Sequence, residues 1–223
     1  MLTRNAASRN DGRMLVTAMR MGKPYRPKDH YFRRAKQLGF RARSAFKLEE
    51  IARRFGILRA GARILDLGAA PGGFLQVIAD AIGPTGTALG IDLVPVKPMA
   101  QPQVRTAIAD VLSEDFVAKV RSLEDGEFDA VISDLAPKTS GIKSTDEARS
   151  IALASRALEI ASARGREGSS LVAKLFMGAD FEEFRERVRL EYEEVKIVRP
   201  EATRGGSSEV YVVGLRKKAP RRP

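Results

Sequence analysis

Four apolar segments of this 223-residue chain end in or beside a carboxylate: Asp66, Asp92, Asp110 and Asp134. In an open sheet flanked by helices, ligands bind beyond the carboxyl ends of the strands, so acids at several such ends form a site. Asp92 closes ThrAlaLeuGlyIleAsp, where it is placed to accept hydrogen bonds from ribose hydroxyls. Asp110 is placed for an adenine amino group, with helix capping as the alternative. Lys174 interrupts the otherwise apolar run LeuValAlaLysLeuPhe. A buried amine is costly to desolvate and needs a partner, and Asp134 on the neighbouring strand is the natural one. The pair is either structural or a proton-handling device. Glu209 stands at the entrance of the last apolar run, and Lys47, between Phe46 and Leu48, can reach over the same edge.

From Arg63 to Phe74 a strand-like run leads into a glycine-rich turn, ArgIleLeuAspLeuGlyAlaAlaProGlyGlyPhe. Gly68 permits a sharp exit at positive φ, and Gly72 and Gly73 remove side chains where a helix begins. Asp66 is expected to hold this turn through backbone N–H groups rather than to touch a ligand. Ala70 occupies the middle position of what would be GlyXGlyXXGly, which speaks against a pyrophosphate and so against a nicotinamide dinucleotide. A nucleoside without pyrophosphate fits better, and S-adenosyl-L-methionine is the common one.

Apolar periodicity supplies the elements that must position these residues. Ala45, Phe46, Leu48, Ile51, Ala52 and Phe55 fall mainly on one face of a helix from Ser44, its expected N-cap, to Phe55. The reading then gives strands at 63–67, 87–92, 104–109, 128–133, 169–176, 193–199 and 209–215. Helices fall at 73–82, near 113–122, 145–163 and 179–190. Strand and helix alternate, so the economical fold is a Rossmann-like α/β domain: a mostly parallel seven-stranded sheet with helices on both faces. The last two strands are too close for a helical crossover and should pair antiparallel.

The net charge of +11 is unevenly placed. Residues 1–60 hold 16 Lys and Arg against four Asp and Glu, whereas 61–215 hold 18 against 24, and the end from Arg216 adds five cations. A slightly acidic body with a basic first quarter suits a polyanion-binding face beside a cavity for a cation, with nucleic acid as the polyanion. The expected organisation is a basic arm over 1–29, one domain over 30–215 whose first part, 30–60, faces RNA, and a basic tail over 216–223. Arg33, Arg34, Arg41 and Arg43 are expected to contact phosphates. The absence of cysteine excludes disulfides and thiolate metal sites, and one histidine cannot build a histidine metal cluster. No apolar run reaches membrane-spanning length. These features suit a cytoplasmic protein, with organellar import through the arginine-rich start as the alternative.

Five segments together resemble the FtsJ family of ribosomal RNA 2′-O-methyltransferases: ArgSerAlaPheLysLeuGluGluIle (43–51), AspLeuGlyAlaAlaProGlyGlyPhe (66–74), SerAspLeuAlaPro followed by SerGly (133–141), LeuValAlaLysLeuPhe (171–176) and SerGluValTyrValVal (208–213). The resemblance implies a class I methyltransferase fold. It makes Lys47, Asp134, Lys174 and Glu209 a catalytic tetrad, and Gly72, Phe74, Asp92, Asp110 and Asp134 the lining of an S-adenosyl-L-methionine site, with no metal. The implied substrate is a ribose, by family likeness a uridine, of 23S ribosomal RNA within a large subunit, modified by a monomer. Position 74 is often tryptophan in this family, so Phe74 lacks an indole N–H. Lys174 is the candidate base, which at an ordinary pKa near 10.4 would need a lowered one; otherwise it orients the hydroxyl. The same chemistry on transfer RNA, and a non-catalytic RNA-binding assembly factor, are the alternatives.

Overall fold

The structure is a computed structural model that describes residues 28–219. Residues 1–27 of the expected arm over 1–29, and 220–223 of the expected tail over 216–223, lie outside the described residues; Arg216 and Lys217 belong to the last strand rather than to a tail. Two helices, α1 (Lys28–Gln37) and α2 (Ala45–Phe55), precede an alternating series. It runs β1 (Arg63–Leu67), α3 (Gly73–Ile82), β2 (Thr87–Asp92), β3 (Val104–Ile108), α4 (Phe116–Leu123), β4 (Phe128–Ser133), α5 (Lys143–Arg164), β5 (Gly165–Phe176), α6 (Phe181–Glu191), β6 (Tyr192–Val198) and β7 (Glu209–Lys217).

The seven strands form one sheet in the order β3-β2-β1-β4-β5-β7-β6. Strands β1 to β5 are parallel, and β7 is antiparallel to both β5 and β6. The order reverses between β1 and β4, because the chain moves outward from β1 to β3 and then returns to the other side. That reversal is where an open α/β sheet leaves a crevice for a ligand.

Alternation along the strands assigns the two faces. Leu65, Leu67, Val131, Leu171, Ala173, Val210 and Val212 pack in one cluster with α4, α5 and α6. Ile64, Ala130, Ile132, Val172, Tyr211 and Val213 pack in the other with α2 and α3. By the same two-residue period Asp66, Asp134, Lys174 and Glu209 belong to the α2/α3 face. Every residue of the candidate site is thereby delivered to one side of the sheet.

Most expected elements stand within two residues of their predicted bounds. Two differ for physical reasons. Strand β5 starts at Gly165 rather than 169, extending along Phe128 before a register irregularity. Helix α4 starts later than expected, since residues 110–113 are taken up by a turn in which Ser113 N–H donates to the Asp110 carbonyl at 3.1 Å. Ser44 does occupy the N-cap position of α2, but its side chain makes no capping bond; Phe46 N–H instead donates to Arg43 O at 3.3 Å.

Helix α2 is held by Ala45, Leu48 and Ile51, each fully buried against α3 and the sheet. Burial of one such Leu or Ile stabilises by about 1.5–3 kcal/mol. Because α2 carries Lys47, packing and site geometry are linked. Ile51→Ala should cost about 2–5 kcal/mol in urea unfolding, since the cavity term adds to the lost transfer energy; a loss under about 1 kcal/mol would mean that α2 is not docked as described.

Candidate active site

The site is built on the α2/α3 face where β1, β4 and β5 end and the antiparallel β7 begins. Lys174 and Tyr211 are direct partners across β5 and β7, and Phe176 pairs with Glu209 one step further. Lys174 Nζ lies 2.9 Å from Asp134 Oδ1 and donates to the Asp134 carbonyl at 2.5 Å. The Tyr211 hydroxyl donates to the same Oδ1 at 2.6 Å. Lys47 and Glu209 form a second ion pair, and Lys47 Nζ sits 5.8 Å from the centroid of the Tyr211 ring. Thr203, on the loop between β6 and β7, donates to Glu209 Oε1 at 3.4 Å. The tetrad expected from the sequence therefore comes together as two ion pairs, joined through Tyr211. Both lysines are only 6% exposed, so each amine depends on its carboxylate partner.

Tyr211 escaped notice in the sequence because a tyrosine in a strand reads as ordinary core. Fully buried between Asp134 and Glu209, it has its phenol pKa pushed well up by desolvation and by those negative charges. It stays a protonated donor. Asp146, on α5, is a second unexpected contributor, fixing the chain beyond Asp134 by accepting from Ser140 N–H at 2.7 Å and from the Ser140 hydroxyl at 2.8 Å. The Ser140 N–H is the chief reason that the Asp146 carboxyl lies below its ordinary pKa.

The glycine-rich turn lies against this cluster. Gly68 has φ +82°, and a Cβ there would fall 3.1 Å from Leu135 N and 3.2 Å from Asp134 C. Gly72 has φ +106° at the start of α3. Asp92, not Asp66, holds the turn: its Oδ2 accepts from Ala70 N–H at 2.9 Å and its Oδ1 from Val94 N–H at 3.1 Å. The carboxylate oxygens of Asp66, fully buried, make no hydrogen bond. The expected role of Asp66 is thus corrected, since the chain after β1 turns away from it and towards the end of β2, where Gly68 N–H and Ala69 N–H donate to Ile91 O. Asp110 is exposed and accepts from Leu112 N–H at 2.9 Å, a turn contact rather than a helix cap. Phe74, at the start of α3, is 3% exposed, and its ring packs in the α2/α3 cluster.

Residues 40–217 match the sequence profile of the FtsJ-like methyltransferases. Among curated proteins, the ribosomal RNA large subunit methyltransferase E of Myxococcus xanthus is 64% identical over 210 residues, covering 94% of this chain and 99% of its own. The protein of that name in Anaeromyxobacter sp. (strain Fw109-5) is 52% identical over 203 residues, covering 90% of this chain and 74% of its own. The chain belongs to the FtsJ-like methyltransferase family. Two solved structures agree on the fold. One, described as a ribosomal RNA methyltransferase from Plasmodium falciparum, has a TM-score of 0.71 at 22% identity over 81% of this chain and all of its own. Aeropyrum pernix fibrillarin has a TM-score of 0.57 at 16% identity, covering 77% of this chain and 76% of its own.

The methyl donor that an FtsJ-like methyltransferase implies, S-adenosyl-L-methionine, fits the residues present. It is cationic at its amino group and sulfonium, and three carboxylates, Asp66, Asp92 and Asp134, gather at the sheet reversal. They are close enough that Asp134 and Asp92, after burial itself, push the Asp66 pKa well up. Burial of an unpaired carboxyl is unfavourable unless something else compensates, and a cation is the chemical complement. Beyond the ends of β2 and β3 the apolar side chains Leu93, Val94, Ile108 and Leu112 are more than half exposed, a suitable wall for an adenine ring.

Asp66 offers a test of this fit. Its folded pKa lies above the unfolded one, so its favourable contribution is complete only below about pH 4 and is lost as pH rises through the folded value. Asp66→Asn should therefore raise the thermal midpoint at pH 7 while weakening binding of the methyl donor. A variant that is less stable at pH 7, or that binds the donor as well as the wild type, would show that Asp66 is not an uncompensated buried carboxyl whose charge favours a cation nearby.

Proposed function

We propose that the protein transfers the methyl group of S-adenosyl-L-methionine to a ribose 2′-hydroxyl of large-subunit ribosomal RNA. The observation that carries this reading is the convergence of Lys47, Glu209, Lys174 and Asp134 around Tyr211, beside a turn that admits a nucleoside. Support for the substrate comes from relatives that carry the name ribosomal RNA large subunit methyltransferase E.

When bound, the donor supplies an electrophilic methyl carbon on a sulfonium whose positive charge disappears on transfer. The protein's task is to align the ribose oxygen with that carbon and to take up the hydroxyl proton. Lys174 spends two of its tetrahedral directions on Asp134, at Oδ1 and at the backbone carbonyl. The remaining direction is the one left for the substrate hydroxyl, and Lys174 is the group that handles its proton. Asp134 holds the amine and completes the acidic crevice. The Lys47–Glu209 pair closes the opposite side, and Tyr211 fixes the spacing between the two pairs.

RNA would lie across the basic part formed by residues 30–60, where Arg33, Arg34, Arg53 and Arg54 are exposed on α1 and α2. We place the reaction on an assembled large subunit in the bacterial cytoplasm, with the enzyme acting as a monomer. Among the described residues no helix is long and apolar enough to cross a membrane.

Tritiated-methyl transfer to isolated large subunits, followed by mapping of the modified nucleotide, should place the label on a ribose of the large ribosomal RNA. Label on a base, or only on transfer RNA, would overturn the substrate. In the same assay Lys174→Ala should lower turnover by about 10²–10⁴-fold, the span of lost acid–base catalysis, with donor binding retained. Turnover close to wild type would remove Lys174 from the chemistry.

A further inference from the structure

By charge Arg41 belongs with Arg33, Arg34 and Arg43 as a phosphate contact, yet its guanidinium is taken up by backbone carbonyls. Its Nη1 donates to Lys97 O at 2.6 Å and to Pro71 O at 3.3 Å, and its Nη2 donates to Pro98 O at 2.6 Å. Its backbone N–H donates to Gln76 Oε1 at 2.7 Å, while Gln76 Nε2 donates to Gly39 O at 2.9 Å. The turn between α1 and α2 is therefore fastened to α3, and one side chain reaches from it to two separate pieces of backbone.

Those pieces both border the donor pocket. Pro71 and Gly72 belong to the turn after β1, and Lys97 and Pro98 to the segment that follows Asp92 and Val94. This segment contains Pro95, Pro98 and Pro102 and forms no helix or strand. Proline lacks an N–H, so such a stretch cannot organise itself through its own backbone bonds and its carbonyls need an outside donor. A guanidinium is suited to the task because it presents several N–H groups in a fixed planar fork and keeps its charge. The fit is close: a Cβ on Gly72 would fall 3.0 Å from Arg41 Nη1, 3.1 Å from its Cδ and 3.2 Å from Val96 Cγ1. Glycine at 72 thus leaves room for Arg41 to lie over the turn.

We propose that Arg41 is a positioning residue of the methyl-donor pocket, clamping the 71–72 turn and the 96–98 segment together, rather than an RNA contact. The inference rests on the donor reading above. It also gives this stretch two duties: Arg41, in the α1–α2 turn, shapes the donor side, and six residues later Lys47, on α2, stands in the tetrad.

The test uses the full chain and compares wild type, Arg41→Ala and Arg41→Lys. Donor affinity is measured by calorimetry with S-adenosyl-L-methionine, turnover at saturating donor, and affinity for a large-subunit RNA fragment at several salt concentrations. Arg41→Ala should raise the donor Kd and KM at least about tenfold, the factor expected from one charge-assisted hydrogen bond. With donor saturating, kcat should return to within about threefold of wild type, as for lost uniform binding, and the salt slope of RNA binding should not move. A general structural defect would instead depress kcat at saturation. Arg41→Lys, which keeps the charge without the fork, should fall between the two, and it carries the test if the alanine variant does not fold. Unchanged donor affinity in the variants overturns the proposal, as does a salt slope reduced by about one with donor binding intact. Failure of the wild type to bind the donor would sink the donor reading itself, a result distinct from either.

Discussion

One carboxylate, Asp134, is the point on which the arrangement depends. It follows β4 at the place where strand order reverses, and it accepts from Lys174 and Tyr211 on the two strands beyond. Its backbone N–H meanwhile donates to Leu67 O at 3.0 Å, at the start of the glycine-rich turn. A single residue thus binds the donor side of the crevice to the amine that would face the acceptor. Little slack is possible, because Lys174 and Tyr211 are opposite one another in a hydrogen-bonded ladder and both are buried. Removing the carboxylate would leave a buried amine and a buried phenol without their acceptor, which is more costly than the loss of an exposed pair.

The strands and the Lys174–Asp134 pair were legible in the chain because their signals are local and strong, whereas Lys47 and Glu209 joined that pair as a tetrad through the family resemblance. Apolar runs of four to six residues bounded by turn formers mark the strands, and a lysine inside one of them demands a partner. The shared face came from the structure: with a two-residue period, Asp66, Asp134 and Lys174 lie on one side once their strands are side by side. What could not be read was the allocation of hydrogen bonds among similar groups. Asp66 and Asp92 both end strands next to the same turn, and only the path of the backbone decides that Ala70 N–H meets Asp92. Arg41 looked like its neighbours because charge counts do not reveal direction. Tyr211 and Phe74 are aromatic residues in apolar runs, one with a hydroxyl engaged at the site and the other with its ring packed in the α2/α3 cluster.

The division of charge seen along the sequence is also a division in space. The acids gather in the crevice at the strand ends, while exposed arginines line α1 and α2 above it. A cationic donor and an anionic polymer can therefore be bound side by side, each by surface of the opposite sign. Loss of the sulfonium charge on transfer would weaken the hold of the acidic crevice on the spent donor, so the same electrostatics that favour binding also favour release.

The most direct test is a crystal structure of the protein with sinefungin and an RNA oligonucleotide carrying the target ribose. The account requires the 2′-oxygen to lie within hydrogen-bond reach of Lys174 Nζ, about 2.6–3.2 Å, with Asp134 contacting both the lysine and the donor analogue and Lys47 still paired with Glu209. A 2′-oxygen on the far side of the sheet, or one approached by a different residue while Lys174 stays sealed against Asp134, would contradict it.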